Sequence, residues 1–216
     1  MSLLRIKCLA LGPLDANCYV VHNARTRSAL VIDPGEAEVV RNYIYTNDLN
    51  VKAILLTHLH VDNANGIGGL QKACSQRYPT IHVCCHEAEN ALWSEYRQTA
   101  SILGVSVPDS FPDQPDQTFE AGEVWDLDGI ALQSIHTPGH TDGSVCYVIH
   151  EEKIIFTGDT LMHNGIGRSD FKESHIPSFK KSLAMLRTDF AEYLAYPGHG
   201  PSFHVADATS DEAVAY

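Results

Sequence analysis

A sandwich of two β-sheets covered by helices, of the α/β or α+β class, is the fold that three features of this sequence predict. Apolar, β-branched runs recur along the chain, and most of them close on Gly, Pro, Asp or His. Helical patterns fall between these runs but are fewer, a balance that suits layered sheets. Histidines and aspartates stand just past the ends of four runs, and in layered folds strand ends are where loops converge into sites.

In chain order, strands are expected at CYVVH (18–22), SALVID (28–33), VKAILLTH (51–58), TIHVCC (80–85), IALQSIH (130–136), SVCYVIH (144–150), KIIFTG (153–158) and AEYLAYPG (191–198). Helices are expected at about 36–47, 65–77, 87–102 and 177–187. The first follows a Pro34-Gly35 turn, and the last has Ser174 and Pro177 near its start. The segment VPDSFPDQPDQTFEAGE (107–123), rich in Pro and Asp and without a period, is expected to be a surface loop.

Bulk properties narrow the function. A chain of 216 residues builds one well-buried core, so one domain over 1–216 is expected. Its 44% hydrophobic and 19% charged residues are those of an ordinary globular protein. A net charge of -12 works against nucleic acid or an anionic membrane as partner. The N-terminus lacks the uninterrupted apolar core of a signal peptide, and no run reaches membrane-spanning length, so a cytoplasmic protein is expected. The six cysteines, Cys8, Cys18, Cys74, Cys84, Cys85 and Cys146, do not form a disulfide framework and include no CxxC pair; they read as reduced and structural. Oligomeric state has no signature here.

The chemistry concentrates in THLHVDNANG (57–66), where His58, His60 and Asp62 alternate directly after an apolar run. In an extended or loosely turning segment, residues two apart project to one side, so both imidazoles can meet one ion with Asp62 reaching beyond them. His140, Asp159 and His199 lie past three further strand ends, with Gly139, Gly143, Gly158 and Gly198 letting the backbone turn closely. Alone, Asp159 could cap a turn and His58 could simply satisfy a strand end. Together these residues read as a metal site. His22, His82, His86, His136, His150, His175 and His204 read as surface, capping or supporting residues, with His163 nearer the centre because it follows Asp159. Arg168, in GIGRSDF, could pair with a substrate carboxylate or fix the site. A bound divalent ion would acidify water and polarise a carbonyl, so no serine nucleophile is required and Ser144 reads as structural.

The ordered set THLHVDN, TPGHTDGS, FTGDTLMHNGIGRSDF and YPGHG, with GPLDANCYVV and VIDPG, resembles the metallo-β-lactamase-fold superfamily, in its glyoxalase II-like (hydroxyacylglutathione hydrolase-like) bacterial branch. The resemblance spans nearly the whole chain. It implies an αββα sandwich of two mixed sheets, with the metal site at one edge. It implies that His58, His60 and His140 bind one metal, that Asp159 bridges, and that Asp62, Asn63 and His199 line a second. It implies hydrolysis of a thioester such as S-lactoylglutathione, with Asp62, Asp159 and Arg168 in the catalytic site.

The family's pattern has histidine where this chain has Asn63. A neutral amide oxygen is a weak ligand for a transition ion. The chain could therefore bind two ions with the second held weakly, one ion alone, or none as a folded relic; one tightly bound zinc with a labile second is the reading preferred. The tail after His199, GPSFHVADATSDEAVAY, is too short for the C-terminal helical domain with which long-form glyoxalase II binds glutathione. GIGRSDF also resembles the loop of persulfide dioxygenases, which hold one iron by two histidines and an aspartate; the matching positions here are His58, His140 and Asp159. The alternatives are thus an iron-dependent persulfide dioxygenase acting on a thiol-containing substrate, or a metal-stabilised binding protein without catalysis.

Overall fold

The computed structural model describes residues 2–75, 81–208 and 210–214. Among them, the first sheet runs in chain order as β1 (Leu4–Leu11), β2 (Ala16–Asn23), β3 (Ser28–Ile32), β4 (Asn50–Leu55), β5 (His82–His86) and β6 (Gln117–Phe119). The second is made of β7 (Val124–Asp126), β8 (Ala131–His136), β9 (Val145–Ile149), β10 (Ile154–Gly158), β11 (Leu194–Pro197) and β12 (Phe203–His204), again in chain order across the sheet. Antiparallel strands can be joined by a hairpin, whereas parallel neighbours need a crossover. Each parallel pair here has one: α1 (Ala37–Thr46) between β3 and β4, α2 (Val61–Ala64) and α3 (Ile67–Ser75) between β4 and β5, α4 (Asn90–Ile102) between β5 and β6, and α5 (Ile176–Asp189) between β10 and β11.

Alternation along the strands separates three apolar layers. Tyr19, Val21, Leu30, Ile32, Leu55 and Cys84 face the second sheet, where they meet Tyr147, Phe156 and Leu132. Their neighbours Val20, Val31, Ile54 and Val83 face the other way, onto α1, α3 and α4. On the far side, Cys146, Val148 and Ile155 pack under Phe179, Leu183 and Leu186 of α5. Strands buried on both faces read as continuous apolar runs, which is why SALVI and VCYVI were recognisable. The result is the αββα sandwich of two mixed sheets flanked by helices.

Several boundaries differ from expectation. β1 is an additional edge strand; its mixed burial gives no clean period. The expected loop over 107–123 contains β6, only three residues long, and it buries Phe111, whose ring stacks on Tyr96 at 4.0 Å. The short strands β7 and β12 likewise carry too few residues for a period to show. The expected helix over 65–77 is α3, preceded by the separate single turn α2; residues 76–77 of that helix and Thr80 of the strand expected at 80–85 lie outside the described residues. The six cysteines are all free, five buried and Cys8 exposed. Among the described residues, no helix is long and apolar enough to cross a membrane.

At the end of β5, His86 caps a short turn by accepting from the Ala88 N–H at 3.2 Å, and its ring stacks on His136 with centroids 4.1 Å apart. Burial, with His136 alongside, depresses its pKa to about 4. In the unfolded chain the same group titrates near its ordinary 6.5, so between those values the unfolded state binds the proton and the native state does not. Stability contributed here is complete above pH 6.5 and is lost as pH falls towards 4. Replacing His86 by Asn keeps the capping acceptor and removes the titration. Denaturation across this window should show His86→Asn losing less stability than the parent, by on the order of 1–2 kcal/mol after allowance for the ring's partial exposure; parallel profiles would contradict the assignment.

Candidate metal centre

The centre forms where the ends of β4, β8, β10 and β11 meet. Past β4 the chain is pinned at Thr57, whose N–H and hydroxyl donate to the two oxygens of buried Asp33 at 2.7 and 2.6 Å, while its carbonyl accepts from Val145 N in the second sheet at 2.9 Å. Gly158 adopts φ +48, and a Cβ there would stand 2.5 Å from the Thr57 hydroxyl. At Gly198 a Cβ would lie 2.1 Å from Asp159 Oδ1. Both glycines are therefore required by close approach, and they bring the ends of β4, β10 and β11 together.

Four imidazoles converge here, and each has its outer nitrogen occupied. His58 Nδ1 lies 2.9 Å from Thr57 Oγ1, whose own hydrogen goes to Asp33, so the ring donates. His140 Nδ1 donates to the Arg168 carbonyl at 2.7 Å, and His199 Nδ1 to the Leu14 carbonyl at 3.0 Å. His60 Nε2 meets Glu173 Oε1 at 3.2 Å. In the neutral ring, a hydrogen on the outer nitrogen leaves the inner one as a bare lone pair. The inner atoms of His58, His60 and His140 all lie within 4.8 Å of one another, with His60 Nδ1 and His140 Nε2 3.0 Å apart. Asp159 Oδ2 stands 4.0 Å from His58 Nε2 and 3.6 Å from His140 Nε2. Three imidazole nitrogens and a carboxylate oxygen form the donor set of a four-coordinate transition ion.

A second group adjoins it. His199 Nε2 lies 3.1 Å from Asp62 Oδ2 and 3.9 Å from Asp159 Oδ1, a buried oxygen without a hydrogen-bond partner. Asn63 is fully buried; its Nδ2 donates to His58 Nε2 at 3.1 Å, and its Oδ1 is also unpartnered. Burial costs such oxygens dearly unless a donor or cation meets them, so the Asp159 orphan fits a cation between the carboxylates of Asp62 and Asp159. Asn63, however, aims an N–H at the very nitrogen a metal would use, and only a half-turn of the amide would present its oxygen.

Electrostatics agree with a cation-binding site. Burial, reinforced by neighbouring imidazoles, holds His58 far below its usual range and His140 at about 3, so both stay neutral ligands at physiological pH. Burial also lowers His60 and His199, but it is outweighed by Glu173, Asp62 and Asp159 at His60 and by Asp62 and Asp159 at His199, leaving both raised. The field that favours imidazolium there equally favours a metal ion. Burial pushes Asp159 up to about 6.

His58, His60, His140, Asp159, Asp62, Asn63 and His199 are thus brought together, but not as one row. Asp62 and Asn63 lie within the helical turn α2, for which His60 is the extended N-cap, so the turn carries Asp62 away from the three-histidine cluster to His199. Asp62 thus lies beyond the cluster of His58, His60 and His140. Arg168 lines the adjoining cavity, yet its guanidinium is engaged by Asp170 at 2.9 and 2.8 Å and lies over Phe171; its carbonyl orients His140. His163 packs near Phe203, with ring centroids 5.7 Å apart.

Three acidic residues in this assembly escaped sequence reasoning: Asp33, Glu173 and Glu89. Nearly fully buried Glu89 accepts from Leu59 N at 2.6 Å, Thr141 Oγ1 at 2.7 Å and Gly143 N at 2.9 Å. It ties the loop carrying His58 and His60 to the loop carrying His140. Its only sequence signal, an acidic residue at a helix start, is shared by most exposed helices. Removing it strands buried donors, so Glu89→Ala should lower unfolding free energy by about 2–4 kcal/mol in urea titrations and reduce the metal retained after dialysis; a fully stable, metal-retaining variant would contradict this role.

Comparison with known proteins agrees with the geometry. The model of the metallo-beta-lactamase superfamily matches residues 11–199. The chain is 32% identical over 202 residues to the hydroxyacylglutathione hydrolase GloC of Haemophilus influenzae, covering 91% of each. Among solved structures it resembles TTHA1623 in a di-iron-bound form, with TM-score 0.81, 30% identity and coverage of 93% of this chain and 96% of that one. It also resembles ETHE1 from Myxococcus xanthus, with TM-score 0.71, 25% identity and coverage of 94% and 80%. With a match across most of its length and a metal-ligand cluster at the edge of two mixed sheets, the chain belongs to the metallo-β-lactamase superfamily.

Proposed function

We propose that the protein is a metal-dependent thioester hydrolase of the hydroxyacylglutathione-hydrolase type. The observation that carries this reading is the convergence of lone pairs from His58, His60 and His140, with Asp159, at the floor of a cavity open to a small molecule. His58, His60, His140 and Asp159 would hold one zinc tightly, and Asp62, Asp159 and His199 a second ion weakly beside Asn63. The likeness to the Haemophilus hydroxyacylglutathione hydrolase supports the thioester. When bound, the metal acidifies water and polarises the acyl carbonyl. Asp62, a cavity-lining carboxylate, takes the proton of the attacking water. The new C–O bond forms as C–S breaks, and the sulfur leaves as a thiolate, which collects that proton afterwards. His60, turned inward by Glu173, and His140, turned by the Arg168 carbonyl, keep the floor rigid.

The cavity reaches His60, Asp62, His140 and Asp159, and segment 107–123 does not line it, which supports access of a small molecule to the centre. Iron is the rival metal. His58, His140 and Asp159 form a two-histidine, one-carboxylate set, and the likeness to ETHE1 fits a persulfide dioxygenase as second reading.

Elemental analysis of protein purified without added metal should find about one zinc per chain, with a second gained on titration. Asn63→His should bring the second ion to full occupancy at lower zinc concentration; an unchanged titration would mean that Asn63 does not limit that site. Asp159→Ala should lose metal and thioester turnover together, and a variant retaining both would refute the ligand assignment. About one iron per chain, with oxygen consumed on adding a persulfide, would establish the second reading instead.

A further inference from the structure

The cavity above the centre encloses about 400 Å³ and changes character along its length. Its floor is polar, with His60, Asp62, His140 and Asp159, and one long side is apolar. Leu92, Tyr96, Thr99 and Leu103 fall three or four residues apart along α4 and its C-cap, so they form one stripe down the helix. This stripe adjoins the one by which Trp93, Tyr96 and Ala100 enter the core. Next to the imidazoles the lining is Leu59 and Phe171, the latter ring 5.0 Å from that of His60. At the far end Ile102 and Leu103 are 78% and 61% exposed, large apolar side chains that water solvates poorly.

The charges on the lining are already matched. Arg168 is paired with Asp170, and Lys172 reaches Glu95 at 3.3 Å, joining the loop that carries it to α4. Both lining cations thus have a carboxylate partner, and the helix offers roughly 16 Å of largely apolar wall between Leu92 and Leu103, interrupted by Glu95 and Thr99.

We infer that the acyl half of the substrate is an unbranched apolar chain of medium length, lying along the Leu92–Tyr96–Thr99–Leu103 stripe with its carbonyl over His60 and His140. This inference rests on the hydrolase reading and names its substrate class. Leu92, Ile102 and Leu103 are specificity-determining residues: they select chain length by removing methylenes from water, while the thiol half sits at the mouth.

The test uses zinc-loaded protein and two readouts. The first is kcat/KM for N-acetylcysteamine thioesters from acetyl to decanoyl. The second is calorimetric binding of the straight-chain carboxylates from acetate to decanoate, which needs no turnover. Each methylene that reaches the stripe should raise both by up to about fourfold. Ile102→Ser with Leu103→Ser should flatten the octanoyl-to-decanoyl part of the series, and Leu92→Ser the shorter part. Both readouts flat with chain length would overturn the inference. So would a dependence that none of these substitutions alters, or self-association that buries Ile102 and Leu103 and leaves the series flat. Chain-dependent carboxylate binding without thioester turnover would uphold the apolar site and refute the hydrolase reading. Turnover of S-lactoylglutathione with no chain-length trend would do the reverse.

Discussion

Four imidazoles and two carboxylates share one small buried volume, and that crowding is the constraint on which the local architecture depends. Inner nitrogens 3.0 Å apart repel unless a proton or a cation lies between them. The rings can be held in this posture only because each outer nitrogen is tied, to Thr57 Oγ1, Glu173, the Arg168 carbonyl or the Leu14 carbonyl. All but Thr57 belong to distant parts of the chain, so the centre and the tertiary fold specify one another.

The two sheets are stitched at the same edge. Tyr147 Oη donates to the Leu56 carbonyl at 2.7 Å, Tyr19 Oη to the Pro197 carbonyl at 2.6 Å, and Asn17 Nδ2 to the carbonyls of Pro197 and Gly200 at 3.0 and 2.8 Å. Each bond joins the end of one sheet to a loop or strand end of the other. Apolar packing between the sheets is non-directional and tolerates sliding. These directional bonds, with Glu89 behind them, set the relative position of the loops to the tolerance that metal ligation demands.

Much of this was legible in the sequence where one residue type at one place carried the information. His58, His140, Asp159 and His199 could be found because strand ends are visible as apolar runs, and a ligand just past such an end is conspicuous. Strands buried on both faces, such as β3, β9 and β10, were equally plain. What stayed hidden acts over long separations or through short elements. Asp33 and Glu89 serve backbone donors 24 to 54 residues away, and no local pattern marks an acidic residue for burial. The single turn α2 is too short for a period, so the helical geometry at Asp62 and Asn63 could not be read from spacing. The apolar stripe on α4 was masked because the same helix carries a core stripe beside it.

Two of the four groups that orient imidazoles are main-chain carbonyls, those of Leu14 and Arg168, and both residues border the cavity above the centre. A carbonyl keeps its role whatever side chain sits on the same residue. At these two positions the framework that orients the histidines and the surface that faces the cavity are therefore chemically uncoupled. Exchanging the side chain can reshape what the pocket accepts without disturbing the histidine behind it, whereas at Glu173 a single carboxylate both borders the pocket and holds His60, and no such freedom exists. In a superfamily built on one metal-binding edge, new specificities would be reached most readily through positions of the first kind.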